Sequence, residues 1–290
     1  MFTYFNIVWF FLTDLLTTQK SIQNRIREER GQGQGSEYVP WLLIQDVPSQ
    51  GLATRIKGWK ARRVHHLMSN QELNYFYVLE WSPIVCDIRE QYPLLPLEET
   101  LAIAEQCGIA HPKDPKTQEP IVMTTDFLIT ARQKIGTIEQ ARTVKSSQDL
   151  QSERTLEKLE IERRYWQERS IDWGIVTERE IPETLAKNVG WLHPLFSPED
   201  LSPLSSVEIN RIAKALTLKI SKHHVSLSDI TSECDDLLGL SPGISLSVVR
   251  YLIANRQWLV DMNKLIQPNQ PLTLLAEPLI ESYQTVGGAG

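Results

Sequence analysis

Apolar positions recur along the chain with spacings that separate helices from strands. In SNQELNYFYVLEW, Ser69 stands as a cap, Glu72 falls at the third helical position and an apolar face follows, which predicts a helix. IVCDIREQYPL then reads as a strand, succeeded by a Pro-rich, charged loop around HPKDPKTQEP. Two strand-like runs, IVMTTDFLIT and TIEQARTVKS, flank ARQKIG, where Gly136 suits a turn, so they predict a hairpin. SERTLEKLEIERRYWQERS predicts a helix with Leu156, Leu159 and Trp166 on one side and Glu/Arg pairs on the others. WGIVTE adds one more buried strand. This order predicts an α/β domain whose mixed sheet is antiparallel in the hairpin and parallel across the final crossover.

A Pro- and Ser-rich loop at 193–206 marks a domain boundary. Beyond it, Ile209, Ile212, Leu216 and Ile220 form a helical stripe. Ser226 sets a second helix with Leu227, Ile230, Cys234 and Leu237 on one face, and Val248, Val249, Leu252 and Ile253 point inward from a third. WLVDMNKLI has the composition of a short hairpin. Three helices and a hairpin are the order of a winged helix-turn-helix, with the third helix in the recognition position. The expected organisation is an N-terminal extension (1–29), a catalytic domain (30–192), a linker (193–206), a mainly α winged-helix-like domain (207–280) and a small, flexible tail (281–290).

Length and composition agree with this plan. The 290 residues, 41% of them apolar, suffice for two cores. A formal charge of −6 excludes a uniformly basic nucleic-acid coat, although local patches can still bind DNA. Cys86, Cys107 and Cys234 form no CxxC pair, which argues against a zinc ribbon or disulfide scaffold and for a reducing, cytoplasmic setting. The apolar run FTYFNIVWFFLTDLL (2–16) is shorter than the ~20 residues of a spanning helix. It has no basic flank or small-residue cleavage site and contains Asp14, so it reads as a packing helix or an upstream extension, with no stable membrane association expected.

From Pro48 to Gln71 there is no acid, while Arg55, Lys57, Lys60, Arg62, Arg63, His65 and His66 crowd together. Such a strip is either a solvated loop or a phosphate-contacting surface. A second acid-free segment, from Leu237 to Val260, carries Arg250, Asn255, Arg256 and Gln257, candidates for a recognition helix on DNA or for a protein-docking face.

The chemistry-bearing set lies in the predicted hairpin. Residues two apart on a strand share a face, so Thr143 and Lys145 face the same way and Asp126 on the neighbouring strand can lie beside them. With Glu72 from the upstream helix, this supplies hard oxygen ligands for Mg²⁺ and a cation near an attacking water, as metal-dependent phosphodiester hydrolysis requires. The spacing alone is common, and a capping interaction with Ser69 also explains Glu72.

RGQGQGSEYVPWLLIQDVPS, RVHHLMSNQELNYF, LEW followed by DIREQYPLLP, MTTDFL and SERTLEKLEIERRYW resemble the TnsA endonucleases of Tn-seven-like transposons, over about Arg30 to Trp191. The resemblance implies a restriction-endonuclease-like core that cuts the 5′ strands at transposon ends. It also implies work alongside the TnsB transposase and the TnsC AAA+ ATPase on transposon-end DNA. It assigns Glu72, Asp126 and Lys145 to catalysis; since a threonine carbonyl can still serve as a hard oxygen ligand, Glu72, Asp126 and the Thr143 carbonyl are expected to hold one or two Mg²⁺ ions, with Mn²⁺ as a substitute. Two positions depart from the wider nuclease pattern. Thr125 stands where Pro is usual before the Asp, and neutral Thr143 stands where Glu, Asp or Gln is common. A stand-alone restriction or resolvase-type nuclease and a non-catalytic adaptor are the alternatives. The filled catalytic positions disfavour the adaptor, and the modest net charge disfavours the free-standing nuclease.

Overall fold

The computed structural model describes residues 20–46, 53–220 and 224–276, so the apolar run at 2–16 and the tail at 281–290 lie outside the described residues. No helix among those described is long and apolar enough to cross a membrane. Two units divide the chain, one ending at Ile181 and the other beginning at Pro182.

In the first unit the basic strip is a hairpin, not a loop: β1 (Thr54–Lys57) pairs antiparallel with β2 (Val64–Leu67). The connection depends on Gly58, because a Cβ there would lie 2.6 Å from the buried His65 ring. Helix α1 (Asn70–Trp81) follows, its N-cap Ser69 accepting the Glu72 N–H as predicted. The main sheet runs β3 (Val85–Pro93), β4 (Thr124–Arg132), β5 (Thr137–Val144) and β6 (Asp172–Val176), in that spatial order. Its first three strands are antiparallel and β5–β6 is parallel, so the predicted mixed topology holds. Parallel neighbours cannot be joined by a tight hairpin and need a long crossover, which here contains α3 (Glu153–Glu168) between β5 and β6. Helix α2 (Leu97–Cys107), stopped by Gly108 in the left-handed region, falls where the sequence pattern gave only a strand and a loop.

Leu94, Ile103, Met123, Leu128, Ala141, Ile161, Tyr165 and Trp166 form a core that joins α2 and α3 to the sheet. On α3, Leu159 and Trp166 are buried as expected, whereas Leu156 is exposed and Ile161, Glu162 and Tyr165 are buried. Phe127 packs edge-on against Tyr75 of α1, tying that helix to β4.

The second unit contains α4 (Glu183–Leu192), α5 (Ser206–Ile220), α6 (Leu227–Leu238) and α7 (Ile244–Ala254). The division thus precedes α4 instead of falling in the 193–206 loop. That loop is anchored within the unit by buried Leu201 and by Asn255 Nδ2 donating to the Phe196 carbonyl at 2.8 Å. The stripes of α5 and α7 are buried as predicted, while Leu237 on α6 is exposed. WLVDMNKLI does not form a hairpin among the described residues. A turn occupies 262–263, a single bridge pairs Val260 with Leu274, and Asn188 takes up the Met262 and Lys264 carbonyls and the Ile266 N–H.

Candidate active site

The β4–β5 ladder ends at Phe127↔Arg142, one residue short of Asp126. There the Asp126 carboxylate replaces a backbone acceptor: Oδ2 takes the Val144 N–H at 2.7 Å and the Lys145 ammonium at 3.0 Å. Lys145 lies just past β5, its own N–H fixed on the Val176 carbonyl of β6 and its Nζ also donating to the Val144 carbonyl. Burial alone would lower the lysine's pKa, but the charge and hydrogen bond of Asp126 hold it above the ordinary value.

Glu72 arrives from α1. Its carboxylate accepts the Met68 N–H at 2.9 Å and the Ser69 hydroxyl at 3.1 Å, the capping contacts expected of this position. Burial, then the nearby charge of Asp126, push its pKa up to about 7. Two carboxylates that resist joint ionisation are a donor set that a divalent cation would relieve. Among the described residues no three His, Cys, Asp or Glu side chains gather as a metal cluster, so further ligands would have to come from main-chain carbonyls or water. The pair Glu72 and Asp126 suits a hard cation that keeps several waters.

The raised pKa of Glu72 has a measurable consequence. Because the folded value exceeds the ordinary 4.5, the stabilisation tied to the protonated form is complete below pH ~4.5 and is lost as pH rises through about 7. In chelator, Glu72→Gln should therefore raise stability at pH 8 by about 1 to 3 kcal/mol and leave it nearly unchanged at pH 4 to 5. Thermal unfolding at both pH values checks this, and an equal difference at each would contradict it.

Two further side chains complete the cluster and were not picked out from sequence. Gln91, buried on β3 with φ +49°, donates to Glu72 Oε2 at 3.4 Å and accepts the Thr124 hydroxyl at 3.1 Å. Glu162 on α3 is buried, and its Oε1 accepts from the Thr125 hydroxyl at 2.6 Å, the Trp173 ring N–H at 3.1 Å and the Thr143 hydroxyl. Burial, opposed by these hydrogen bonds, leaves its pKa near 6. Thr125 also accepts the Trp166 ring N–H at 2.6 Å. The two threonines that depart from the wider nuclease pattern thus share one buried carboxylate. A period-based scan treats Glu162 as one more charge on a polar helix face, although its i+4 relation to buried Trp166 and its i+3 relation to buried Leu159 place it inward.

The chain matches the family model described as TnsA-like endonuclease N terminal over residues 82–178 and that described as TnsA endonuclease C terminal over 180–262. It is 43% identical over 239 residues to the Transposon Tn7 transposition protein TnsA of Escherichia coli, covering 82% of this chain and 84% of that protein. The chain belongs to the TnsA endonuclease family. The family's N-terminal match includes Asp126, Thr143, Lys145 and Glu162 but begins after Glu72, whose place in the cluster rests on the geometry above. The two family models change over at 178–180, close to the division between the structural units.

The basic strip near this TnsA-family site divides in two. Arg55, Lys57 and Arg62 are exposed, with Arg55 donating to Gln45. Lys60 donates to the Ser82 carbonyl at 2.7 Å. Arg63 and His65 point inward to the fully buried Glu90, each at 2.8 Å, and His66 Nδ1 accepts the Ile44 N–H at 3.2 Å. In the second unit Arg250 donates to the Trp191 carbonyl at 2.9 Å and lies over the Trp191 ring, and Asn255 holds Phe196 and Tyr251 carbonyls. Arg256 sits at the C-terminal end of α7 with φ +56°.

Proposed function

We propose that the protein is the Mg²⁺-dependent endonuclease subunit of a heteromeric transposase, cutting the 5′ strands at transposon ends in the bacterial cytoplasm. The observation that carries this reading is the convergence of Glu72 from α1, Asp126 from β4 and Lys145 from the end of β5: Asp126 contacts Lys145 directly, and Glu72 lies close enough to feel the charge of both. Family membership supports it, and the E. coli relative is named as a transposition protein.

Glu72, Asp126 and the Thr143 carbonyl would hold one or two Mg²⁺ ions, with Mn²⁺ able to replace them. The ion supplies positive charge that acidifies a water and offsets charge building on the phosphoryl oxygens. Asp126 orients the Lys145 ammonium through their 3.0 Å contact, placing a proton donor and a cation beside the scissile phosphate. In-line attack of water on the phosphorus would break the P–O3′ bond, leaving a 5′ phosphate and a 3′ hydroxyl that takes up a proton. Glu162 fixes Thr143 and Thr125 from behind and so holds the end of β5 in place. Exposed Arg55, Lys57 and Arg62 would contact phosphates along the hairpin.

In this reading a TnsB-type transposase cuts and joins the 3′ ends and a TnsC-type ATPase couples both activities to target choice. We read α5, α6 and α7 of the second unit as the three helices of a winged-helix layout. With Arg250 and Asn255 committed to its own backbone, protein docking suits it better than base reading. Strand-resolved cleavage of a transposon-end duplex tests the proposal. 5′ cuts should appear when TnsB and TnsC are added to this chain and not with the chain alone, whereas vigorous cutting by the isolated chain would favour a stand-alone nuclease.

A further inference from the structure

Beside the catalytic cluster lies a cavity of about 260 Å³ whose lining includes Thr143 and Lys145, the apolar side chains of Pro112, Ile121 and Met123, and Lys158 of α3. This is slightly below the roughly 300 to 1,000 Å³ of sites for drug-sized ligands, so it suits a fragment of about one nucleotide. Its chemistry is divided: an apolar wall that can cover a flat ring, the ammonium groups of Lys145 and Lys158 that favour an anion, and two carboxylates already engaged by hydrogen bonds, Asp149 with Ser146 and Glu162 with Thr125 and Thr143.

Lys158 stands apart from the other cations of its helix. Arg154 pairs with Glu157, and Arg163 and Arg164 both pair with Glu160. Lys158 forms no ion pair among the described residues, yet it lines the cavity that holds the catalytic lysine. An unneutralised cation is where an incoming phosphate gains most.

We propose that this cavity receives the nucleotide flanking the scissile phosphate, its base against Ile121 and Met123 and its outer phosphate at Lys158. The inference rests on the nuclease reading above and adds a positioning surface to it. A base can enter only after leaving its stack, so the cavity favours DNA that is distorted or melted at the cut. Lys158 acts here as a positioning residue, setting the phosphate one step away from the one that reacts.

The test uses the full chain assembled with TnsB and TnsC on a transposon-end duplex in Mg²⁺. Lys158→Ala should lower kcat/KM for 5′ cleavage about tenfold, mainly through KM, with a shallower salt dependence, and Lys158→Arg should restore most of it. Ile121 is partly exposed, so Ile121→Trp can fill the cavity without burying strain in the core. That variant should cut intact DNA at least about tenfold more slowly and recover when one flanking nucleotide is made abasic. Wild-type cutting by both variants, alongside an inactive Asp126→Ala, would overturn the cavity proposal and leave the nuclease reading standing. Equal slowing of Ile121→Trp on intact and abasic DNA would also overturn it. Cutting by Asp126→Ala at the wild-type rate would instead remove the nuclease reading itself.

Discussion

Asp126→Asn is expected to lower 5′-strand cleavage by at least about 10³-fold, roughly 4 kcal/mol of transition-state stabilisation, while the protein stays folded. The asparagine can still accept the Val144 N–H, so the end of β5 keeps its anchor. What disappears is the charge that would hold the cation and that orients Lys145. Asp126→Ala should be equally inactive but less stable, because the buried Val144 N–H then has no acceptor, a cost of about 1 to 3 kcal/mol. Single-turnover cleavage and thermal unfolding on both variants separate the two effects. An Asp126→Asn protein that cuts within tenfold of wild type would remove Asp126 from the chemistry.

The second large effect lies away from the reacting atoms. Glu90→Ala should destabilise the first unit by about 3 to 5 kcal/mol, since it leaves the Arg63 guanidinium buried without its carboxylate and strips His65 of its partner. Burial would raise the Glu90 pKa, but His65 and Arg63 hold it well below the ordinary carboxylate range. Its stabilisation is therefore present above the usual Glu pKa and fades only as the pH falls far into acid. The same residue fixes β2 through the His66 N–H at 3.0 Å, and β2 leads directly into Met68, Ser69 and Glu72. Cleavage should fall along with stability. Urea unfolding that shows a loss below about 1 kcal/mol would mean the buried network carries little.

Glu90 also shows where the sequence was opaque. Arg63, His65 and His66 read as part of one positive strip because charge density along the chain does not reveal which side chains turn inward. Strand alternation sends His65 into the core beside Phe76, where a carboxylate from β3 neutralises the cluster. Helix α2 was hidden by neighbouring prolines, which dominate a local reading although Leu97–Cys107 has a clear capping glycine. Of the expected wing the described residues show a single bridge between Val260 and Leu274, and Asn188, some 75 residues upstream, holds the Met262 and Lys264 carbonyls and the Ile266 N–H, contacts that no local reading reveals. Elements defined by local period, such as α1, the β4–β5 hairpin and α3, were legible. The trio Glu72, Asp126 and Lys145 was legible only through the resemblance to the TnsA endonucleases, since their spacing alone is common in unrelated chains. Gln91 and Glu162 were not, since their roles exist only through partners on other strands and helices.

The most direct test of metal-dependent cleavage at this cluster is 5′-strand cutting of a transposon end bearing a phosphorothioate at the scissile phosphate, compared in Mg²⁺ and Mn²⁺. The wild-type assembly should be slowed by sulfur in Mg²⁺, at least partly rescued by the softer Mn²⁺, and inactive in chelator. Cleavage that persists in chelator, or an intact rate with sulfur in Mg²⁺ for both phosphorothioate isomers, would contradict the assignment of Glu72 and Asp126 as metal-holding residues.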